Sequence, residues 1–304
     1  MTLALKADQN LNKPPAMIHL DLDGSTHIYR IHGWSYEAQD DPLFETGLQQ
    51  ALDFFDKVKV RATLFVIAED LNHPGKRGLI KEAVKRGHEI ASHSFTHQKL
   101  TTLVSKEKRR EIFESRERIM TGLGVEVLGF RAPDFDIDRE VLELVDRAGY
   151  LYDSSLFPGV RFARKVGVTR LSRLPYRPLE NRSLVELPLP GYAPLPLPFH
   201  PCYSLVLGTW YFRLGLRKFR QTGNPLVLLF HLTDFADPLP THRLTGWKSR
   251  LFTLSHMKGE HKRYRCEEML EIVRREYTFV DTRSLIQGLT TAPPGAQASC
   301  LRNG

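Results

Sequence analysis

Two histidines four residues apart, His93 and His97, close the stretch Gly87-His-Glu-Ile-Ala-Ser-His-Ser-Phe-Thr-His97. One helical turn, or the tight turn that begins one, brings residues i and i+4 to the same side, so both imidazoles can reach a single ion. With 12 histidines in 304 residues, that spacing is informative only through its company. The company is a carboxylate pair, Asp21 and Asp23, in Leu20-Asp-Leu-Asp-Gly24, an Arg131-Ala-Pro133 turn, Asp153 in Tyr152-Asp-Ser-Ser155, and His231 after the apolar run Pro225-Leu-Val-Leu-Leu-Phe230. Two imidazoles and a carboxylate form a zinc-type donor set, while a second carboxylate, a guanidinium and a free imidazole are groups that move protons and steady charge.

The elements that must position these groups alternate. Met17 to Leu22 reads as a buried strand, and residues 24–43 read as an irregular polar loop carrying His27, His32 and Trp34. Helical periodicity from Leu48 to Val60 leads to an apolar strand at Ala62 to Ile67. A helix from Gly78 to Lys85, stopped at Gly87, leads to a strand at Glu89 to Ser92. The cycle repeats with a helix Lys106 to Met120, a strand Val127 to Phe130, a helix Arg139 to Ala148 and a strand Tyr150 to Asp153. Such alternation predicts a parallel sheet or barrel, where chemistry sits at the carboxyl ends of strands. The candidate residues all fall there. Between Phe157 and Thr222 the pattern loosens into a Pro-rich region and an apolar-basic run from Tyr203 to Arg220. A helix from Cys266 to Arg275, a strand from Thr278 to Val280 and a short helix follow. The expected organisation is a flexible lead over 1–15, one catalytic domain over 16–289 and a disordered tail over 290–304.

Composition bounds the class. A chain of 304 residues with 41% hydrophobic residues can bury a large core. Cys202, Cys266 and Cys300 are odd in number and widely spaced, which predicts reduced thiols and no disulfide framework. Residues 1–16 lack the apolar core of a secretory signal and no run reaches the roughly 18 apolar residues of a membrane span, so a cytoplasmic location is expected. The net charge of +8 is concentrated in Arg161 to Arg177, Arg213 to Arg220, Arg243 to Arg250 and Lys258 to Arg265. It fits either an anionic partner or a solvated basic surface. No helix-turn-helix, zinc-finger or RNP pattern accompanies it, so nucleic acid is not expected.

In chain order, Asp21-Leu-Asp-Gly24, Arg61-Ala-Thr-Leu-Phe-Val66, the Gly87 to His97 stretch, Gly129-Phe-Arg-Ala-Pro133, Tyr152-Asp-Ser-Ser155 and Phe230-His231 resemble the polysaccharide deacetylases, the NodB-homology or carbohydrate esterase 4 family. The resemblance runs from Met17 to Gln287, and its motif forms look closest to members associated with exopolysaccharide and cell-surface glycans. It implies a distorted (β/α) barrel of fewer than eight strands, a divalent metal, usually zinc, and hydrolysis of an N-acetyl group on an amino sugar. Amide hydrolysis needs an activated water, a stabilised oxyanion and a protonated leaving amine. Asp23, His93 and His97 would hold the metal, and Asp21 would take the water proton. By the resemblance, Arg131 orients Asp21, a backbone N–H of Asp134 or Phe135 completes the oxyanion site, and His231 is the acid, kept charged and aligned by Asp153. The substrate would be an N-acetylated glycan, a sugar nucleotide or a lipid-linked sugar, met in the cytoplasm or at the inner membrane face.

Leu22 separates Asp21 from Asp23 where common family members carry adjacent aspartates. Alternate strand residues face one side, so the spacing can still place both carboxylates over one site. An apolar strand followed by Asp-Leu-Asp-Gly-Ser is also the first motif of haloacid-dehalogenase-type phosphatases, with Asp21 as nucleophile and Asp281 as a late carboxylate. An inactive glycan-binding module of the same fold is the third reading. His27 and His32 are outside candidates for metal ligation. Tyr203 to Arg220 is either an interfacial helix meeting an anionic membrane or a helix packed across the barrel mouth. Phe135, Tyr192, Trp210 and Trp247 are candidates to stack on a sugar or to serve burial.

Overall fold

The computed structural model describes residues 13–36, 40–191 and 199–291. In chain order the elements are β1 (Pro15–Asp21), α1 (Ser25–His32), α2 (Pro42–Lys57), β2 (Thr63–Val66), α3 (Pro74–Lys85), β3 (Glu89–Ser92), α4 (Ser105–Arg109) and α5 (Ser115–Leu123). They continue with β4 (Gly129–Phe130), α6 (Arg139–Arg147), β5 (Tyr152–Asp153), α7 (Val160–Lys165), β6 (Val185–Glu186), α8 (Pro201–Leu207) and α9 (Thr209–Arg220). β7 (Leu226–His231), α10 (Trp247–Phe252), α11 (Gly259–Glu276), β8 (Thr278–Phe279) and α12 (Thr282–Thr291) complete the chain. Seven strands lie side by side in the order β6-β5-β4-β3-β2-β1-β7, and the two-residue β8 pairs with β1. Every strand pairing is parallel. Among the described residues nothing pairs β6 with β7, so the row is the distorted, incomplete (β/α) barrel.

Strand alternation divides the core in two. Met17, Phe65, Ala91, Tyr152, Val227 and Leu229 form an inner cluster with Leu285, Ile286 and Leu289 of α12. Their strand neighbours Ile18, Leu20, Leu64, Ile90, Leu228 and Phe230 pack outward against the helices. This period-two split points Asp21 and His231 inward with Met17 and Val227, and parallel register sets them directly opposite each other. α12 fills the amino-terminal end of the barrel, leaving the carboxyl-terminal end to the chemistry.

The stretch expected as one irregular loop over 24–43 instead contains α1. Asp41 accounts for the difference: its Oδ1 accepts the Ser25 N–H at 2.8 Å, opening α1, and the Phe44 N–H at 3.3 Å, opening α2. A cap sixteen residues away satisfies the first-turn donors that no local residue could. Gly33 then ends α1 at φ +69°, a left-handed turn that favours glycine. Of the expected lead, residues 1–12 lie outside the described residues, as do Tyr192 and residues 292–304 of the expected tail; Thr290 and Thr291 belong to α12.

At β4 the inner face has room for no side chain. A Cβ on Gly129 would overlap the Tyr152 ring, whose hydroxyl is held by Glu89 Oε1 at 3.0 Å. Gly129→Ala is therefore expected to lower stability by about 1–3 kcal/mol, the usual cost of overpacking. A urea midpoint equal to wild type would show that Tyr152 is free to move.

Candidate metal and active site

β3 ends at Ser92, and the chain then turns through two left-handed residues, Ser94 at φ +68° and His97 at φ +58°. Ser94 Oγ accepts the His97 N–H at 3.0 Å, and Glu111 accepts the N–H groups of Phe95 and Thr96 at 3.0 and 2.8 Å. So braced, the turn aims both imidazoles at Asp23. Asp23 Oδ1 lies 3.3 Å from His93 Nε2 and 3.2 Å from His97 Nε2. His93 Nδ1 donates to the Arg131 carbonyl at 2.8 Å, which leaves the Nε2 lone pair facing the site.

Among the described residues, these three are the group able to hold a metal, with ligand atoms within 4.8 Å of one another. Asp23 Oδ1 and both His97 ring nitrogens are buried without hydrogen-bond partners. Buried polar atoms left so are costly, and a cation is the partner that a carboxylate and two imidazoles jointly fit. Burial acts to lower the His93 pKa, but the Asp21 and Asp23 carboxylates outweigh it and raise the pKa. Burial holds the His97 pKa down against Asp23.

Asp21 sits at the centre of the remaining groups. Arg131 is 0% exposed and gives Nη1 to Asp21 Oδ1 at 2.6 Å, Nε to the Ser154 carbonyl at 2.7 Å and Nη2 to Ser154 Oγ at 2.9 Å and His19 Nδ1 at 2.7 Å. Asp21 Oδ2 remains turned to the site, 3.8 Å from His93 Nε2 and 3.9 Å from His231 Nε2. Arg131 thus orients Asp21 as the resemblance implies. Of the two backbone donors expected for an oxyanion, Phe135 N–H is already given to the Ala132 carbonyl at 3.0 Å. That leaves Asp134 as the candidate of the two. Both residues are left-handed, at φ +51° and +52°.

One expected partner is in the wrong layer. Tyr152 faces the barrel interior and Ser154 meets Arg131 there, so the alternation turns Asp153 to the outer side. Asp153 accepts from Ser155 N and Oγ at 3.0 and 2.8 Å and pairs with Glu186, which stands opposite it in register. Burial raises both carboxyl pKa values, that of Glu186 well above the usual range. The carboxylate beside His231 is Asp234, whose Oδ2 accepts the His231 N–H at 2.9 Å while the His231 ring accepts the Asp234 N–H. Burial pushes Asp234 up to about 6 against the pull of His231.

The outside metal candidates are accounted for elsewhere. His27 Nε2 faces Glu69 Oε1 at 3.1 Å, and His32 stacks on Trp34 with ring centres 4.6 Å apart. Phe135 packs edge-on against Phe157. Sequence reasoning missed His19, Glu186, Asp234 and His200. The last is buried beside Phe157 with both ring nitrogens unpartnered, and burial, with His231 and Arg131, lowers its pKa to about 3. It is neutral at working pH. The His231-x-x-Asp234 spacing was the only local signal for any of these.

Because a proton and a cation compete for His93, whose pKa is raised, metal occupancy should fall as pH drops below that raised value. Elemental analysis after dialysis should find about one divalent ion per chain at pH 8 and a large loss by pH 5. His93→Ala and His97→Ala should lack the ion at both values. Full occupancy in either variant would remove these residues as ligands.

A family model described as polysaccharide deacetylase matches residues 26–152. The match takes in His93, His97 and Arg131 and stops short of Asp21, Asp23 and His231. A bifunctional xylanase/deacetylase of Pseudobutyrivibrio xylanivorans is 31% identical over 97 residues, covering 32% of this chain and 16% of that protein. A peptidoglycan deacetylase of Helicobacter pylori is 28% identical over 139 residues, covering 42% of this chain and 47% of that protein. The chain thus spans less than half the length of either relative. A crystal structure described as a "putative polysaccharide deacetylase" from Mycobacterium smegmatis superposes with a TM-score of 0.61 at 20% identity, covering 95% of this chain and 94% of that one. This is a likeness of fold.

Proposed function

We propose that this chain belongs to the polysaccharide deacetylase family, whose model it matches over residues 26–152, and is a metal-dependent hydrolase that removes the N-acetyl group from an amino sugar. The sugar is carried in a glycan, a sugar nucleotide or a lipid-linked precursor. One observation carries the reading. The cation-type set Asp23, His93 and His97 and the proton-moving pair Asp21 and His231 converge on one mouth, with Asp21 Oδ2 3.8 Å from His93 and 3.9 Å from His231.

Asp23, His93 and His97 would hold a divalent ion, zinc by its donors, which when bound supplies an acidified water and a polarised acetyl carbonyl. The chain's own residues do the rest. Arg131 occupies Oδ1 of Asp21 and leaves Oδ2 to accept the proton that water loses as its oxygen bonds the acetyl carbon. The Asp134 N–H is placed to donate to the oxygen that gains charge. As the C–N bond breaks, His231 gives a proton to the departing nitrogen, and the Asp234 carboxylate, which accepts the His231 backbone N–H, holds the turn that carries the ring. Acetate and the free amine leave. We place the reaction in the cytoplasm at the inner membrane face, a reading supported by the basic second half and by the free thiols of Cys202 and Cys266.

Beyond Asp21 and Asp23, the phosphatase reading needs a late acidic group at the same mouth. Asp281 instead follows β8, which pairs with Pro15 and Ala16 at the start of β1, and it is exposed at the opposite end of the barrel. Mass spectrometry of N-acetylated oligosaccharides, sugar nucleotides and glycolipids incubated with metal-loaded protein should show loss of one acetyl group. Asp21→Asn should keep the ion and slow turnover by about 10² to 10⁴-fold, the range for a lost general base. His231→Ala should be similarly impaired. Magnesium-dependent phosphate release that requires Asp21 but tolerates loss of His93, His97 and His231 would overturn the assignment.

A further inference from the structure

Among the described residues, eight of the eleven exposed large hydrophobic side chains lie on α8, α9 and α10. Tyr203, Val206 and Leu207 on α8, and Trp210 and Leu214 on α9, are exposed at helical spacing within each helix, with Trp210 63% exposed. The opposite side of α9, Tyr211, Phe212, Leu216 and Phe219, is buried in the core. α9 therefore packs on the barrel and still presents a second apolar stripe to the outside. On α10, Trp247, Leu251 and Phe252 are exposed, Trp247 at 72%. An apolar surface this concentrated marks a binding face rather than scattered exposure.

The two patches flank the mouth. α8 follows His200, whose ring meets Phe157, and α10 reaches α1, the helix that leaves the carboxyl end of β1. His32 packs against Phe252 with ring centres 4.4 Å apart. Along the stretches of chain that carry these apolar residues the charge has one sign. From 187 to 233 and from 238 to 259 the sequence holds no Asp or Glu, while Arg213, Arg217, Lys218, Lys248 and Arg250 are exposed beside the hydrophobic residues. Aromatic and aliphatic groups rimmed by cations, without carboxylates, match an anionic lipid interface, where rings sit at headgroup level and basic side chains reach phosphates. No helix among the described residues is long and apolar enough to cross a membrane. Contact through this face would be peripheral.

We propose that α8, α9 and α10 form a docking face for an anionic bilayer, which sets the barrel mouth against the membrane so that the site receives a substrate whose headgroup lies at the lipid surface. This deepens the proposed function by naming where the substrate is presented, and it rests on that reading only for the chemistry done at the mouth.

The full chain is mixed with vesicles of phosphatidylglycerol and phosphatidylcholine, or of phosphatidylcholine alone, and sedimented. Binding is expected to the anionic vesicles, with a blue shift of tryptophan emission, and to weaken as salt rises. Trp210→Ser with Leu214→Ser, and separately Trp247→Ser with Phe252→Ser, should each reduce binding. Arg217→Gln with Lys218→Gln should reduce it by roughly fivefold per cation removed. The circular dichroism of all three should match wild type. Asp21→Asn should bind vesicles as wild type does, so that failure of the catalytic reading leaves this result standing. No binding to anionic vesicles at low ionic strength would overturn the proposal. So would binding that ignores all three double substitutions, or a concentration-dependent dimer that these substitutions abolish in a chain that ignores vesicles.

Discussion

A fully buried guanidinium organises this molecule. Arg131 brings a full charge into the barrel, a placement that costs several kcal/mol unless every donor finds a partner in good geometry. Here the donors go to Asp21, His19 and Ser154, and the ring of Phe65 lies 3.9 Å under the cation. Each of those partners is fixed in turn. His19 Nε2 meets Thr282 Oγ1 at 3.0 Å, Thr63 Oγ1 lies 2.8 Å from the same oxygen, and the Thr63 hydroxyl donates to Glu89 at 3.0 Å. A polar column thus runs through the apolar interior from Asp21 to the floor of the barrel. Moving Arg131 would strand a carboxylate, an imidazole and a hydroxyl together, so the column gives Asp21 a single orientation.

Two regularities of the sheet decide which residues can join that column. Register sets Asp21 opposite His231 across β1 and β7. Alternation decides the face, and it is unforgiving because one residue of displacement exchanges inside for outside. Asp21 succeeds by standing two residues from His19, and Asp23 lies just past the strand end, free to turn toward the histidines. Asp153 fails the same test by one position. Its neighbours Tyr152 and Ser154 hold the interior, and Asp153 stands opposite Glu186 beneath the loop that carries Arg131.

That difference shows what was legible in the sequence. The parallel strands were visible because each is a continuous apolar run broken by Gly or by a periodic helix, and the histidine pair was visible because its spacing is local. Asp21, Asp23 and His231 could be placed at strand ends by the same reading. What escaped depends on phase or on distant partners. β5 is two residues long in the structure, too short for alternation to show which of Tyr152 and Asp153 points inward. Glu186 acquires meaning only through a partner in the neighbouring strand. His19 meets Arg131 across 112 positions of sequence. α1 was hidden because its cap, Asp41, lies in what looked like the far end of a loop.

The mouth is also where the backbone departs from its preferred conformations. Ser94, His97, Asp134 and Phe135 are all left-handed without being glycine, and each such residue costs on the order of 1 kcal/mol or more. The cost is met by carboxylates that do no chemistry. Glu111 takes three donors from Phe95 and Thr96, and Asp136 takes Thr101 N and Oγ1 at 2.8 and 2.6 Å and Lys165 at 3.0 Å. Hydrogen bonds to charged acceptors are worth about 1.5–3 kcal/mol each, enough to outweigh the strain. The gain is directional. A regular helix would carry His97 onward, whereas these turns aim the imidazole back at Asp23. The stable frame of strands supplies register, and the strained turns, held by Glu111 and Asp136, supply aim.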